Sequence, residues 1–132
     1  MSEPMSPEAI DALADRIFAA IEAADVESIA SIWADDVVVW HNTDGIEQER
    51  SANLRVLDWM VGSTTLRSYR NIRRTIVAGG FVQQHVLHVE LPDGRTADVP
   101  AALFVEVDNG RITRIDEYLD GIGIAAAFGQ QS

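Results

Sequence analysis

Apolar residues near the start of the chain recur at helical spacing: Ile10, Leu13, Ala14, Ile17, Phe18 and Ile21. Positions three and four apart share one face of an α-helix, so this stretch is predicted to bury one side and expose the other. Ser6 and Pro7 mark its start. The hydroxyl can accept from a free first-turn amide, and the missing proline N–H costs nothing at the first position. Asp25 is placed to cap a second, short helix carrying Ile29, Ile32 and Trp33. After Asp35 and Asp36 the pattern changes. Val37-Val38-Val39-Trp40-His41-Asn42 is β-branched and aromatic, which predicts a strand. Thr43-Asp44-Gly45 reads as a turn, and residues 47–61 read as a third helix with Leu54, Leu57 and Val61 on one side.

The second half reads as strands. Ala78-Gly79-Gly80, Pro92-Asp93-Gly94 and Asp108-Asn109-Gly110 are turn signals. Between them lie β-rich runs at about 66–77, 81–91, 95–107 and 111–120, an antiparallel meander. Pro100 cannot donate to a ladder, so it implies an edge or a bulge. Helices followed by a meander predict an α+β fold with the helices against one sheet face. The other face is then solvated or covered by a second subunit.

Composition narrows the setting. At 132 residues and 47% hydrophobic, the chain reads as one globular domain, residues 1–132. No apolar run reaches the ~18 residues that span a membrane. Met1 to Pro7 lacks the basic-then-apolar order of a secretory leader, and there is no cysteine, so the cytoplasm is the expected compartment. The formal charge of −11 repels phosphate backbones and argues against nucleic acid as a partner.

The last predicted strand carries the best candidate chemistry. Side chains alternate between faces. Thr113, Ile115, Glu117 and Leu119 share one face; Ile112, Arg114, Asp116, Tyr118 and Asp120 share the other. Glu117 is the only charge on its face, between two large apolar residues. Desolvation there is expected to raise its pKa and suit it to acid/base work; pairing with an arginine or capping backbone groups is the plainer role. Val38, Trp40 and Asn42 share a face of the first strand. Trp40 and Asn42 either hold a ligand or a water, or serve as a core tryptophan and a turn asparagine. His85 and His88 fall on opposite faces, and His41 opposite Trp40, so no spacing suits a metal. Arg67, Arg70, Arg73 and Arg74 form a basic cluster, either protecting a sheet edge or recognising an acidic group.

With these segments in place, the chain resembles the nuclear transport factor 2-like superfamily, in its SnoaL-like, limonene-epoxide-hydrolase-like and steroid-isomerase-like branch. The likeness rests on the helix pair ending in Ala24-Asp25, on Val38-Val39-Trp40-His41-Asn42, on residues 80–87 (GFVQQHVL), and on residues 110–120 (GRITRIDEYLD). It implies a curved antiparallel sheet wrapped over three N-terminal helices around a cone-shaped pocket, a cystatin-like α+β roll. It also implies homodimers pairing through the outer sheet face. Trp40 and Asn42 stand where the epoxide hydrolases carry the aromatic-x-Asn that holds the attacking water. A gapless strand match puts Glu117 at one position of their Asp-Arg-Asp set, with Gln84 and Val86 at the others. The same match turns His88 inward, towards Glu117. Asn42 and Ile17 stand at the carboxylate and tyrosine positions of the steroid isomerases. With these replacements the set of neither enzyme is complete, and because this fold carries many reactions the likeness is specific for the fold and only weakly so for the reaction. The expected function is cofactor-free acid/base chemistry on a small apolar molecule of polyketide, steroid or terpenoid type. Glu117 and His88 are the expected catalytic pair, and Trp40, Asn42, Gln84, Ile115 and Leu119 the substrate-binding residues. A non-catalytic ligand-binding or dimer-forming domain is the alternative. The apolar tail, residues 122–128, is expected to close the pocket or to pack across a dimer.

Overall fold

Residues 4–128 are described in the computed structural model of the chain. In order they form helices α1 (Pro7–Glu22) and α2 (Val26–Ile32), strand β1 (Trp33–His41) and the two-residue strand β2 (Glu47–Gln48). Helix α3 (Arg50–Gly62) follows, then strands β3 (Leu66–Val77), β4 (Gly80–Glu90), β5 (Thr96–Asp108) and β6 (Arg111–Leu119), and helix α4 (Gly121–Phe128). Both expected helix starts form. The Ser6 hydroxyl accepts from the Ala9 N–H at 3.1 Å, and the Asp25 carboxylate from the Ser28 N–H at 3.2 Å. The stripe Ile10, Leu13, Ala14, Ile17 and Phe18 is buried, so α1 packs as its period requires. Two boundaries move. Trp33 opens β1 instead of closing α2, and Glu47 and Gln48 pair with Trp40 and Val39 instead of starting α3.

The sheet order is β2-β1-β6-β5-β4-β3. Strands β3 to β6 make the expected antiparallel meander, but β1 runs parallel to β6, so the sheet is mixed. A parallel pair needs a long crossover, and the chain between β1 and β6 supplies one. Pro100 lies in an interior strand. Its carbonyl accepts from the Asp120 N–H, so its ring nitrogen faces the place where the β6 ladder stops. The missing donor is needed by no partner.

One irregularity corrects the expected faces. The β5–β6 register shifts at Thr113, so Val107 pairs with Ile112 and Glu106 with Arg114. The extra residue turns Ile112 into the core, 1% exposed, although strict alternation from Tyr118 places it outside. Of the basic cluster, Arg67 is buried and donates to the carbonyls of Ile21, Glu22, Val61 and Thr64. It thus ties the ends of α1 and α3 to β3. Arg70 and Arg73 are exposed on β3, an edge strand. Among the described residues, no helix is long and apolar enough to cross a membrane.

Candidate functional site

Between the helices and the inner sheet face lies a cavity of about 300 Å³. Phe18, Trp33, Leu57, Phe81, Leu103 and Ile115 make most of its wall apolar, and Ile124 and Phe128 of α4 reach it from the tail. A few polar groups interrupt this wall: His41, Asp44, Gln48, Asn53, Tyr69 and Glu117. Val37, Val39 and His41 alternate inward along β1, and Ile115, Glu117 and Leu119 along β6. The parallel register sets His41 beside Glu117.

The two side chains meet, with His41 Nε2 3.0 Å from Glu117 Oε1. Burial pushes the His41 pKa down, but the hydrogen bond to Glu117 and the charges of Glu117 and Asp44 outweigh it, so the net shift is upward. The imidazole therefore holds its proton more tightly than a free histidine and presents it to the carboxylate. Tyr69 also lines the cavity. Burial, then the charges of Glu117 and Glu22, hold its phenol well above the ordinary range, so its hydroxyl remains a donor.

Behind this wall runs a second polar chain. Arg74 Nε donates to Gln83 Oε1 at 2.8 Å, and Gln83 Nε2 lies 2.9 Å from His85 Nδ1. Arginine has no acceptor, so the glutamine oxygen must face it. The glutamine NH₂ then donates to Nδ1, and His85 carries its proton on Nε2. Burial pushes the His85 pKa down, which agrees with a neutral ring. The rings of Tyr69 and Phe18 stand edge-on to it at 4.7 and 5.7 Å. Arg74 continues outward to Asp11 and Asp15, each at 2.8 Å.

Of the residues singled out from the sequence, Glu117, Ile115 and Leu119 line the cavity. Four others lie elsewhere. His88 faces away from Glu117 and pairs with its cross-strand neighbour Asp98, Nδ1 to Oδ1 at 2.7 Å. Gln84 is exposed; Gln83 and His85 are the buried members of that run. Trp40 lies on the outer face against Tyr118, ring centroids 5.2 Å apart. Asn42 bonds the Leu119 backbone twice, Nδ2 donating to its carbonyl and Oδ1 accepting from its N–H, and so clasps the ends of β1 and β6. The shared cause is that each strand reads apolar on both faces. Val37-Val38-Val39-Trp40 and Phe81-Val82 do not say which parity is buried, and a slip of one residue inverts every side chain. His41 escapes sequence reading for that reason; Asp44 lies in the turn after β1 and Tyr69 among the polar residues of β3, where no local pattern marks either. The one available signal was that His41 shares parity with Val37 and Val39.

A sequence model of the SnoaL-like domain matches residues 14–115. The chain belongs to the SnoaL-like family. No curated protein matches it. Several solved structures share the fold. A candidate polyketide cyclase from Xanthomonas campestris pv. campestris is 24% identical, with a TM-score of 0.76 over 96% of this chain and 100% of that one. A candidate isomerase from Bacillus subtilis is 15% identical, with a TM-score of 0.82 over 96% and 98%. A nuclear transport factor 2-like protein from Burkholderia xenovorans is 18% identical, with a TM-score of 0.74 over 95% and 99%. At these identities the likeness establishes the nuclear transport factor 2-like fold for this SnoaL-like chain.

Proposed function

We propose that the 132 residues form a single SnoaL-like domain whose cavity is the active site of a small-molecule enzyme, a cyclase, isomerase or hydrolase working with its own acid and base. The observation that carries this reading is the His41–Glu117 contact of 3.0 Å at a wall that is otherwise apolar. Glu117 is the proton carrier and His41 its partner, in the role first expected of His88. A carboxylate so placed takes a proton from carbon beside a substrate carbonyl. The C–H electron pair moves into an enolate, and a donor such as the Tyr69 hydroxyl steadies the developing oxygen charge. Return of the proton at another carbon is isomerisation; attack of the enolate on a second carbonyl closes a ring. The names of the cyclase and isomerase neighbours support this class of chemistry.

Glu117→Gln preserves the shape and removes the proton-accepting oxygen. On substrates found by screening apolar ketones, it is expected to lower kcat by about 10²–10⁴-fold while thermal unfolding stays close to wild type. Unchanged turnover removes Glu117 from the chemistry. Unchanged ligand affinity with no turnover in either protein favours the ligand-binding alternative.

A further inference from the structure

Among the described residues, three on the cavity wall carry a buried polar atom with no partner, and two of them lie together. Trp33 is 3% exposed and its indole Nε1 meets no acceptor; Asn53 is 6% exposed and its Oδ1 meets no donor. Both residues line the cavity. They flank the same junction. Arg50 Nη2 donates to the Ala30 carbonyl at 2.6 Å, joining the first turn of α3 to the last turn of α2. Asn53 lies one turn along α3 from Arg50, and Trp33 follows α2 directly. This junction is at the opposite end of β1 from His41, since Trp33 pairs with Ile112 and His41 with Glu117. The third, Gln48 Oε1, belongs to the residue paired with Val39, nearer the dyad; a fourth unpartnered atom, Arg50 Nε, lies at the junction itself, on a residue that does not line the cavity.

Buried polar groups are almost always hydrogen-bonded, so an unpaired donor and acceptor on one cavity wall call for an occupant that supplies both. A carbonyl would satisfy only the indole, and an apolar group neither. A hydroxyl accepts from Trp33 Nε1 and donates to Asn53 Oδ1. We infer that the ligand is an elongated apolar molecule bearing a hydroxyl at the end that reaches Trp33 and Asn53, its reactive carbon lying towards Glu117 and His41. This deepens the proposed function and rests on its reading of the cavity as a small-molecule site.

Three probes of one shape test it: 2-naphthol, 2-methoxynaphthalene, which accepts but cannot donate, and naphthalene. Calorimetric titration of wild type is expected to show 2-naphthol binding at least tenfold more tightly than naphthalene, with the methoxy compound between them. 2-Naphthol, and not naphthalene, is expected to move the Trp33 indole N–H proton resonance downfield. Trp33→Phe and Asn53→Leu are each expected to bring the 2-naphthol preference down about tenfold; the wild-type comparison stands if either variant fails to fold. Glu117→Gln is expected to keep the preference, which separates this subsite from the dyad's chemistry. Equal wild-type affinities, or a preference untouched in both variants, overturn the hydroxyl subsite. No binding of any probe overturns the cavity reading along with it.

Discussion

His41 and His85 show how a half-buried and a buried histidine on one sheet face reach opposite states. His41 has a carboxylate against its Nε2, which outweighs burial, and its pKa rises; His85 has no carboxylate against it, and burial pushes its pKa down. A base whose pKa is higher folded than unfolded contributes stability below its unfolded value of about 6.5, and that contribution is lost as pH rises through the folded value. Wild type is therefore expected to exceed His41→Gln in melting temperature most near pH 6, with the gap closing towards alkaline pH. His85 has the reverse dependence, but it is present in both proteins and cancels in the difference. A gap that does not change with pH means that His41 and Glu117 are not coupled. Sequence parity put Glu117 on the inner face correctly, because its flanking Ile115 and Leu119 contrast with Arg114, Asp116 and Tyr118. It did not find His41, because the valine run before it carries no such contrast.

At the scale of elements, the boundaries of α1 and the four long strands and the start of α2 were legible from caps, periods and turn residues. Ser6, Asp25, Gly79 and Gly94 act locally, within a few residues of the features they specify. The arginines were not legible in this way. Arg67 and Arg73 are six residues apart on one strand, yet one is buried against two helix ends and the other is exposed. Arg67→Met retains the apolar stem but removes the guanidinium that donates to the carbonyls of Ile21, Glu22, Val61 and Thr64, of which Ile21 keeps the Ala24 N–H. It is expected to cost about 2–4 kcal/mol in urea unfolding. Arg73→Met is expected to stay within about 0.5 kcal/mol, as exposed substitutions do. Equal costs for the two would contradict the tethering role. The tail likewise resolves into an element: α4 directs Phe128 at Trp59, with ring centroids 5.2 Å apart, and leaves Ile122 85% exposed.

For the whole molecule, the outer sheet face carries an exposed aromatic patch. Trp40, Tyr118 and Phe104 form a run of ring contacts there, at 5.2 and 6.0 Å, and Phe104 and Tyr118 are 49% and 48% exposed. Arg114, Asp116 and Glu47 border them in a charged network. An apolar aromatic centre with a polar rim is the composition of a protein interface, and we propose that two copies pair through this face. Light scattering at micromolar concentration is expected to give twice the chain's 14.5 kDa, and Phe104→Glu to give the monomer mass. A monomeric wild type would show this face to be solvated instead.

What the sequence by itself determined is what short-range chemistry controls: the caps, the helical stripe of α1, the turns, the α+β order of elements and the inner-face parity around Glu117. Each depends on neighbours within about one turn or one hairpin, so the linear order already contains it. The tertiary structure alone decided which face of β1 and β4 is buried, that the bulge at Thr113 turns Ile112 inward, and that β1 lies parallel to β6. Those outcomes depend on contacts between strands far apart in the chain. The pairing of His41 with Glu117, 76 residues on, is one of them: it exists only because β1 and β6 are adjacent in the sheet.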